Sequence, residues 1–131
     1  MAINTVLIVD DTSYVLYYIE KIFSDNDFQK FNLKIIGKAK NGIEAIKMYE
    51  QKMPVLTFMD ISMPKMDGLE ALKEIKKRNK GALVIFITAF GYKKEVLKAA
   101  ELGAAGYILK PFKKEQILEL LEKLKNKGEL K

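Results

Sequence analysis

Five times along this 131-residue chain a short strand-like run, mostly continuous and apolar but interrupted by lysines at 33–38, gives way to a longer stretch whose apolar residues recur at helical spacing. A strand buried on both faces reads as a continuous apolar run, whereas an amphipathic helix shows its apolar residues every three or four positions. Runs at 5–10, 33–38, 55–59, 83–87 and 106–109 fit strands. Stretches near 13–25, 42–52, 68–79, 92–102 and 114–126 fit helices. Their stripes are explicit: Val15, Ile19, Ile22 and Phe23 in the first, Leu69, Leu72 and Ile75 in the third, Ile117, Leu120, Leu121 and Leu124 in the fifth. Strictly alternating βα units predict an α/β protein built on a parallel sheet. The punctuation agrees, with Asn41 and Asp67 placed to cap helices and Gly103 and Gly128 placed where helices stop.

Length and composition bound what such a fold can do. Hydrophobic residues at 49% and charged residues at 31% predict one compact domain over residues 1–131, with its core at about 3–126 and a polar tail from Asn126 to Lys131 that frays. The connection from Ser24 to Asn32 is polar apart from Phe28 and Phe31, and is read as a long loop without an assigned role. No apolar run approaches the roughly 18 residues of a membrane span, so a cytoplasmic protein without membrane contact is expected. Cysteine and histidine are both absent, and any metal must therefore be held by oxygen. The net charge of +6 comes almost entirely from lysines interleaved with glutamates on helix faces. That pattern is a solvated surface rather than a nucleic-acid footprint.

The strand exits carry the chemistry. Asp60 follows Val55 to Met59, Asp10 and Asp11 follow Val6 to Val9, Thr88 follows Leu83 to Ile87, and Lys110-Pro111 follows Gly106 to Leu109. In an open parallel sheet these ends gather on one edge, where ligands bind. Three carboxylates that close oppose each other's ionisation unless a cation intervenes. Magnesium is the natural choice, because it takes oxygen ligands, keeps several waters and bridges to phosphate. A carboxylate beside Mg2+, a lysine and a hydroxyl can attack a phosphoryl group while the cations stabilise its equatorial oxygens, leaving an acyl phosphate.

With these residues in view, the chain resembles the receiver domain of bacterial two-component response regulators, in particular the stand-alone chemotaxis type. The motifs are Leu7-Ile8-Val9-Asp10-Asp11, Met59 to Gly68 around Asp60, Thr88-Ala89, and Gly103 to Phe112 around Lys110, and the resemblance spans about residues 3–126. It implies a doubly wound, flavodoxin-like (βα)5 fold with strand order 2-1-3-4-5. It also implies Asp60 as phosphoacceptor, Asp11 as direct ligand of Mg2+, Asp10 acting through water and Ser62 lending its backbone carbonyl. Lys110 would pair with Asp60 and then with phosphoryl oxygens, Thr88 would donate its hydroxyl, and Tyr107 would be the aromatic switch. Lys110-Pro111 would be a cis peptide. A histidine kinase is the implied donor. The implied output face, on the fourth helix, fifth strand and fifth helix, includes Phe90, Tyr92, Lys94, Tyr107 and Lys113 and binds a target such as a flagellar motor switch component. Such a protein is a monomer and not a conventional enzyme, catalysing only its own phosphorylation and dephosphorylation. Ser62 and Phe90 depart from relatives that carry asparagine and an acid there, positions that influence how water reaches the acyl phosphate. The same bare domain also serves as a phosphorelay intermediate or as a fragment of a DNA-binding regulator. A pseudo-receiver acting as a fixed interaction module should have lost part of the set Asp11, Asp60, Thr88 and Lys110, and a haloacid dehalogenase-like phosphatase wants an acid where Ser62 stands.

Overall fold

The computed structural model describes residues 2–131. Five strands, β1 (Asn4–Val9), β2 (Leu33–Ala39), β3 (Leu56–Met59), β4 (Leu83–Thr88) and β5 (Gly106–Leu109), alternate with five helices: α1 (Ser13–Phe23), α2 (Gly42–Lys52), α3 (Gly68–Arg78), α4 (Lys93–Glu101) and α5 (Lys114–Asn126). Every pairing is parallel and the strand order is β2-β1-β3-β4-β5. The expected doubly wound fold is present, with element ends displaced by no more than two residues from the sequence reading.

Side chains alternate across the sheet and meet helices on both sides. Val6, Ile8, Phe58, Ile85 and Ile108 pack with Leu16 and Ile19 of α1 and with Ile117 and Leu121 of α5. On the opposite face Leu7, Val9, Met59, Val84 and Phe86 pack with Tyr49 of α2, Leu72 and Ile75 of α3, and Ala99 of α4. Because both faces are covered, the central strands can be apolar throughout, which is why they read as unbroken runs. Asn41 accepts the Glu44 N–H at 2.9 Å and Asp67 accepts the Glu70 N–H at 2.9 Å, so both expected caps form. Gly103 and Gly128 adopt φ of +88° and +79°, conformations that end α4 and α5 at little cost for a residue without Cβ.

Two segments correct the sequence reading. Residues Asn26–Phe31 form a 3-10 helix rather than a loose loop, started by Asp25, whose carboxylate accepts the Asp27 N–H. Its purpose is packing: Phe28 and Phe31 are buried in a segment held against α1 and α5, with the Phe28 ring centre 5.6 Å from that of Phe23. Lys114 of α5 holds this segment through Asp25 and Asp27 at 2.9 and 3.0 Å. The tail does not fray either. After Gly128 the chain turns back, Leu130 is buried, and the Lys131 N–H donates to Asn4 Oδ1 at 2.8 Å. Asn4 Nδ2 donates to Lys131 O at 3.0 Å and to Phe31 O at 2.7 Å. The core therefore extends to residue 130 because one buried amide ties the start of β1 to the end of the chain.

Candidate functional site

Register brings the acids together. Val9 lies beside Met59 across the β1–β3 pair, so the next residues, Asp10 and Asp60, leave the sheet side by side. Both are still held by ladder hydrogen bonds, from Asp10 N to Ala39 O and from Asp60 N to Val9 O, each 3.0 Å. On the other side Thr88 pairs with Leu109, and the Lys110 N–H donates to Thr88 O at 2.8 Å. The Lys110-Pro111 peptide is cis, as the resemblance implies.

In Asp10 and Asp60 one carboxylate oxygen is held by backbone and the other by Lys110. Asp10 Oδ1 accepts the Thr12 N–H at 2.9 Å, and Asp60 Oδ1 accepts the Ser62 N–H at 3.3 Å. Their Oδ2 atoms both face Lys110 Nζ, at 2.7 and 3.0 Å. Asp10 is 2% exposed and Asp60 7%, whereas Asp11 stands at the exposed rim. One oxygen from each of the three lies within 4.8 Å of the others. Burial pushes the Asp10 carboxyl above the ordinary carboxylate range, outweighing the opposing pull of Lys110 and the Thr12 N–H. Burial works to lower Lys110, but its hydrogen bonds to Asp10 and Asp60 win and raise it, so it stays charged. An oxygen-only set with two sheltered members and one at the rim fits an ion such as Mg2+ that retains part of its water shell.

Thr88 is fully buried, and its hydroxyl oxygen accepts the Phe90 N–H at 3.3 Å. The carbonyl of the same Phe90 accepts the Tyr107 hydroxyl, while the Tyr107 ring meets Phe86 edge-on at 6.1 Å. Burial, then the charges of Glu95 and Asp60, raise the Tyr107 phenol above its ordinary value. Of the remaining expected output residues, Tyr92, Lys94 and Lys113 are exposed, and Phe90 is half-buried with its ring centre 6.5 Å from that of Tyr92.

Gly68 belongs to the site in a way the sequence reading did not capture. A Cβ on it would lie 2.2 Å from Asp60 O and 2.9 Å from Ile61 Cα. Its N–H donates to Ile61 O at 2.8 Å, closing the loop after the phosphoacceptor candidate. Only the glycine following the Asp67 cap marked it.

Residues 6–122 match the family model of the response regulator receiver domain. The chain belongs to that family. The receiver is 41% identical over 117 residues to the chemotaxis protein CheY of Listeria monocytogenes, covering 89% of this chain and 94% of that protein. It is 38% identical to CheY of Bacillus subtilis, covering 94% of this chain and 98% of that one. Among solved structures, the CheX-CheY-BeF3-Mg2+ complex from Borrelia burgdorferi superposes with a TM-score of 0.83 at 32% identity, over 92% of this receiver and 87% of that chain. A receiver of this type is a signalling protein rather than a conventional enzyme. No helix among the described residues is long and apolar enough to cross a membrane.

Proposed function

We propose that this receiver takes a phosphoryl group from a histidine kinase onto Asp60 and, so modified, binds a target protein through α4, β5 and α5, within a chemotaxis system. The observation that carries the reading is Lys110 Nζ bridging the Oδ2 atoms of Asp10 and Asp60 beside Asp11. Asp10, Asp11, Asp60 and the Ser62 carbonyl would hold Mg2+, which when bound neutralises charge on the incoming phosphoryl oxygens.

The residues divide the work. A carboxylate oxygen of Asp60 attacks phosphorus as the bond to the donor nitrogen breaks, its electron pair leaving with the imidazole. Lys110 exchanges its contact with the Asp60 carboxylate for a phosphoryl oxygen, a strong charge-assisted bond. The Thr88 hydroxyl accepts from Phe90, and its own proton is available to donate to the phosphoryl group. Displacement of Thr88 toward that group pulls on the Phe90 N–H, and the Phe90 carbonyl passes the movement to Tyr107. The output surface is then Phe90, Tyr92, Lys94, Tyr107 and Lys113, and a flagellar motor switch component is the target class that the chemotaxis relatives favour.

Intact mass after incubation with Mg2+ and acetyl phosphate tests the reading. One phosphoryl group should be gained, and the gain should be abolished by Asp60→Asn or by chelation. Absence of any gain in the unaltered protein overturns it.

A further inference from the structure

Ser62 and Phe90 open on a cleft of about 300 Å3 whose walls include Leu69 and Glu95. The same Leu69 and Glu95 line a larger cavity of about 490 Å3 between α3 and α4, completed by Lys94, Leu97, Lys98 and Glu101. The two spaces form one trough, from the edge of the phosphoacceptor pocket along the side of α4 that faces α3. Its apolar surface comes from Leu69 and from Leu97, which is 52% exposed.

Oε2 of Glu95 is shut off from solvent and receives no hydrogen bond. Among the described residues the only other buried side-chain polar atom in that condition is the Thr57 hydroxyl, inside the sheet. A carboxylate oxygen deprived of both water and donor is costly, and its retention points to a donor supplied from outside the chain. The neighbouring lysines do not supply it. Lys98 lies 3.9 Å from Glu101, and Lys94 is exposed and forms no ion pair among the described residues.

We propose that this trough is a docking surface for a partner-protein segment of defined chemistry. The segment lays aliphatic side chains on Leu69 and Leu97, directs one ammonium or guanidinium to Glu95, and sets acids opposite Lys94 and Lys98. The Glu95 carboxylate turns from its buried position toward the arriving cation. Complementary charge fixes the register of the segment, and the apolar contact supplies area. The surface borders the α4, β5 and α5 face, sharing Phe90 and Lys94 with it, and extends beyond that face to Leu69 on the α3 side of α4. An occupant also stands beside Ser62 and Phe90, so its binding responds to the phosphoryl group on Asp60; this consequence, unlike the docking, rests on the phosphoacceptor reading.

The test uses the full chain and a capped, stapled helical peptide with two leucines one turn apart, a lysine between them and glutamates at both ends. Backbone amide shifts report the binding site. The lysine peptide should shift Leu69, Glu95, Leu97 and Lys98 saturably. Replacing its lysine with norleucine, or Glu95 with glutamine, should weaken binding about tenfold. Leu97→Asp, at an exposed position, should weaken it as well while leaving the rest of the amide spectrum in place. Equal binding of the norleucine peptide, undiminished binding to Glu95→Gln, shifts confined to Asp10, Asp11 and Asp60, or no shifts overturn the proposal. Phosphorylation of the same samples by acetyl phosphate is scored separately. Peptide binding without phosphorylation refutes only the phosphoacceptor reading, and phosphorylation without peptide binding refutes only the docking.

Discussion

Replacing Asn4 with alanine should be among the most damaging changes that leave the acidic pocket untouched. The Asn4 side chain is fully buried and makes three hydrogen bonds, to Phe31 O, Lys131 O and Lys131 N. Each is worth about 0.5–1.5 kcal/mol net, and the Phe31 carbonyl loses a donor within the core. Leu130, 6% exposed, is anchored by the same bonds and stands to lose part of the ~1.5–3 kcal/mol that burying a leucine contributes. A loss of about 3–5 kcal/mol is therefore expected, equivalent to a fall in Tm on the order of 10–20 °C for a chain of this size. Urea unfolding measures the loss, and carboxypeptidase digestion under native conditions reports release of the tail. Asn4→Asp keeps the acceptor for Lys131 N–H and removes both donors, so it should fall below the wild type as well. An Asn4→Ala protein within ~1 kcal/mol of wild type, or a tail digested equally fast in both, would refute the argument.

Gly68→Ala should cost about 1–3 kcal/mol and slow phosphoryl uptake, because the new methyl group meets backbone atoms of Asp60 and Ile61 that yield only if the loop shifts; wild-type denaturation and uptake would contradict this. Phe90→Glu should speed loss of the phosphoryl group by about tenfold, ~1.4 kcal/mol of barrier, by admitting water past a bulky apolar wall; a decay time course that is unchanged or slower refutes it. For Asp10 the folded-state pKa is raised, so the folded protein binds more protons than the unfolded chain, and stability rises as pH falls through that pKa. In chelator, Asp10→Asn should accordingly be more stable than wild type at neutral pH, with the difference shrinking below the ordinary carboxylate range. A less stable variant at neutral pH would mean that the Lys110 contact outweighs burial.

Parts of this architecture were open to reading because both faces of the sheet are covered. Val84 to Ile87 must all be apolar, whichever way each points, so the strand announces itself. Asp60 and Lys110 were legible for the complementary reason that a charge directly after such a run has to sit at the sheet edge. Phe28 and Phe31 were not, since two aromatics three apart in a polar segment match neither a strand nor a full helical stripe. Leu130 stands alone among polar neighbours, and its burial depends on Asn4, 126 positions earlier in the sequence. Gly68 looked like an ordinary helix start, whereas its constraint is a close approach to the Asp60 backbone. Glu95 read as one more acid on a lysine-rich helix, and only packing reveals its unpartnered oxygen.

The cation that bridges the carboxylates is carried by the last strand, while the acids come from the first and third. During synthesis the ribosome therefore delivers Asp10, Asp11 and Asp60 well before Lys110. A nascent chain or clipped fragment that includes Asp60 but ends short of β5 carries all three acids without the lysine that bridges two of them, and it also lacks Tyr107 and the whole of α5. On the proposed function, such a piece would lack both Lys110 at the phosphoacceptor and the Tyr107 and Lys113 side of the output face.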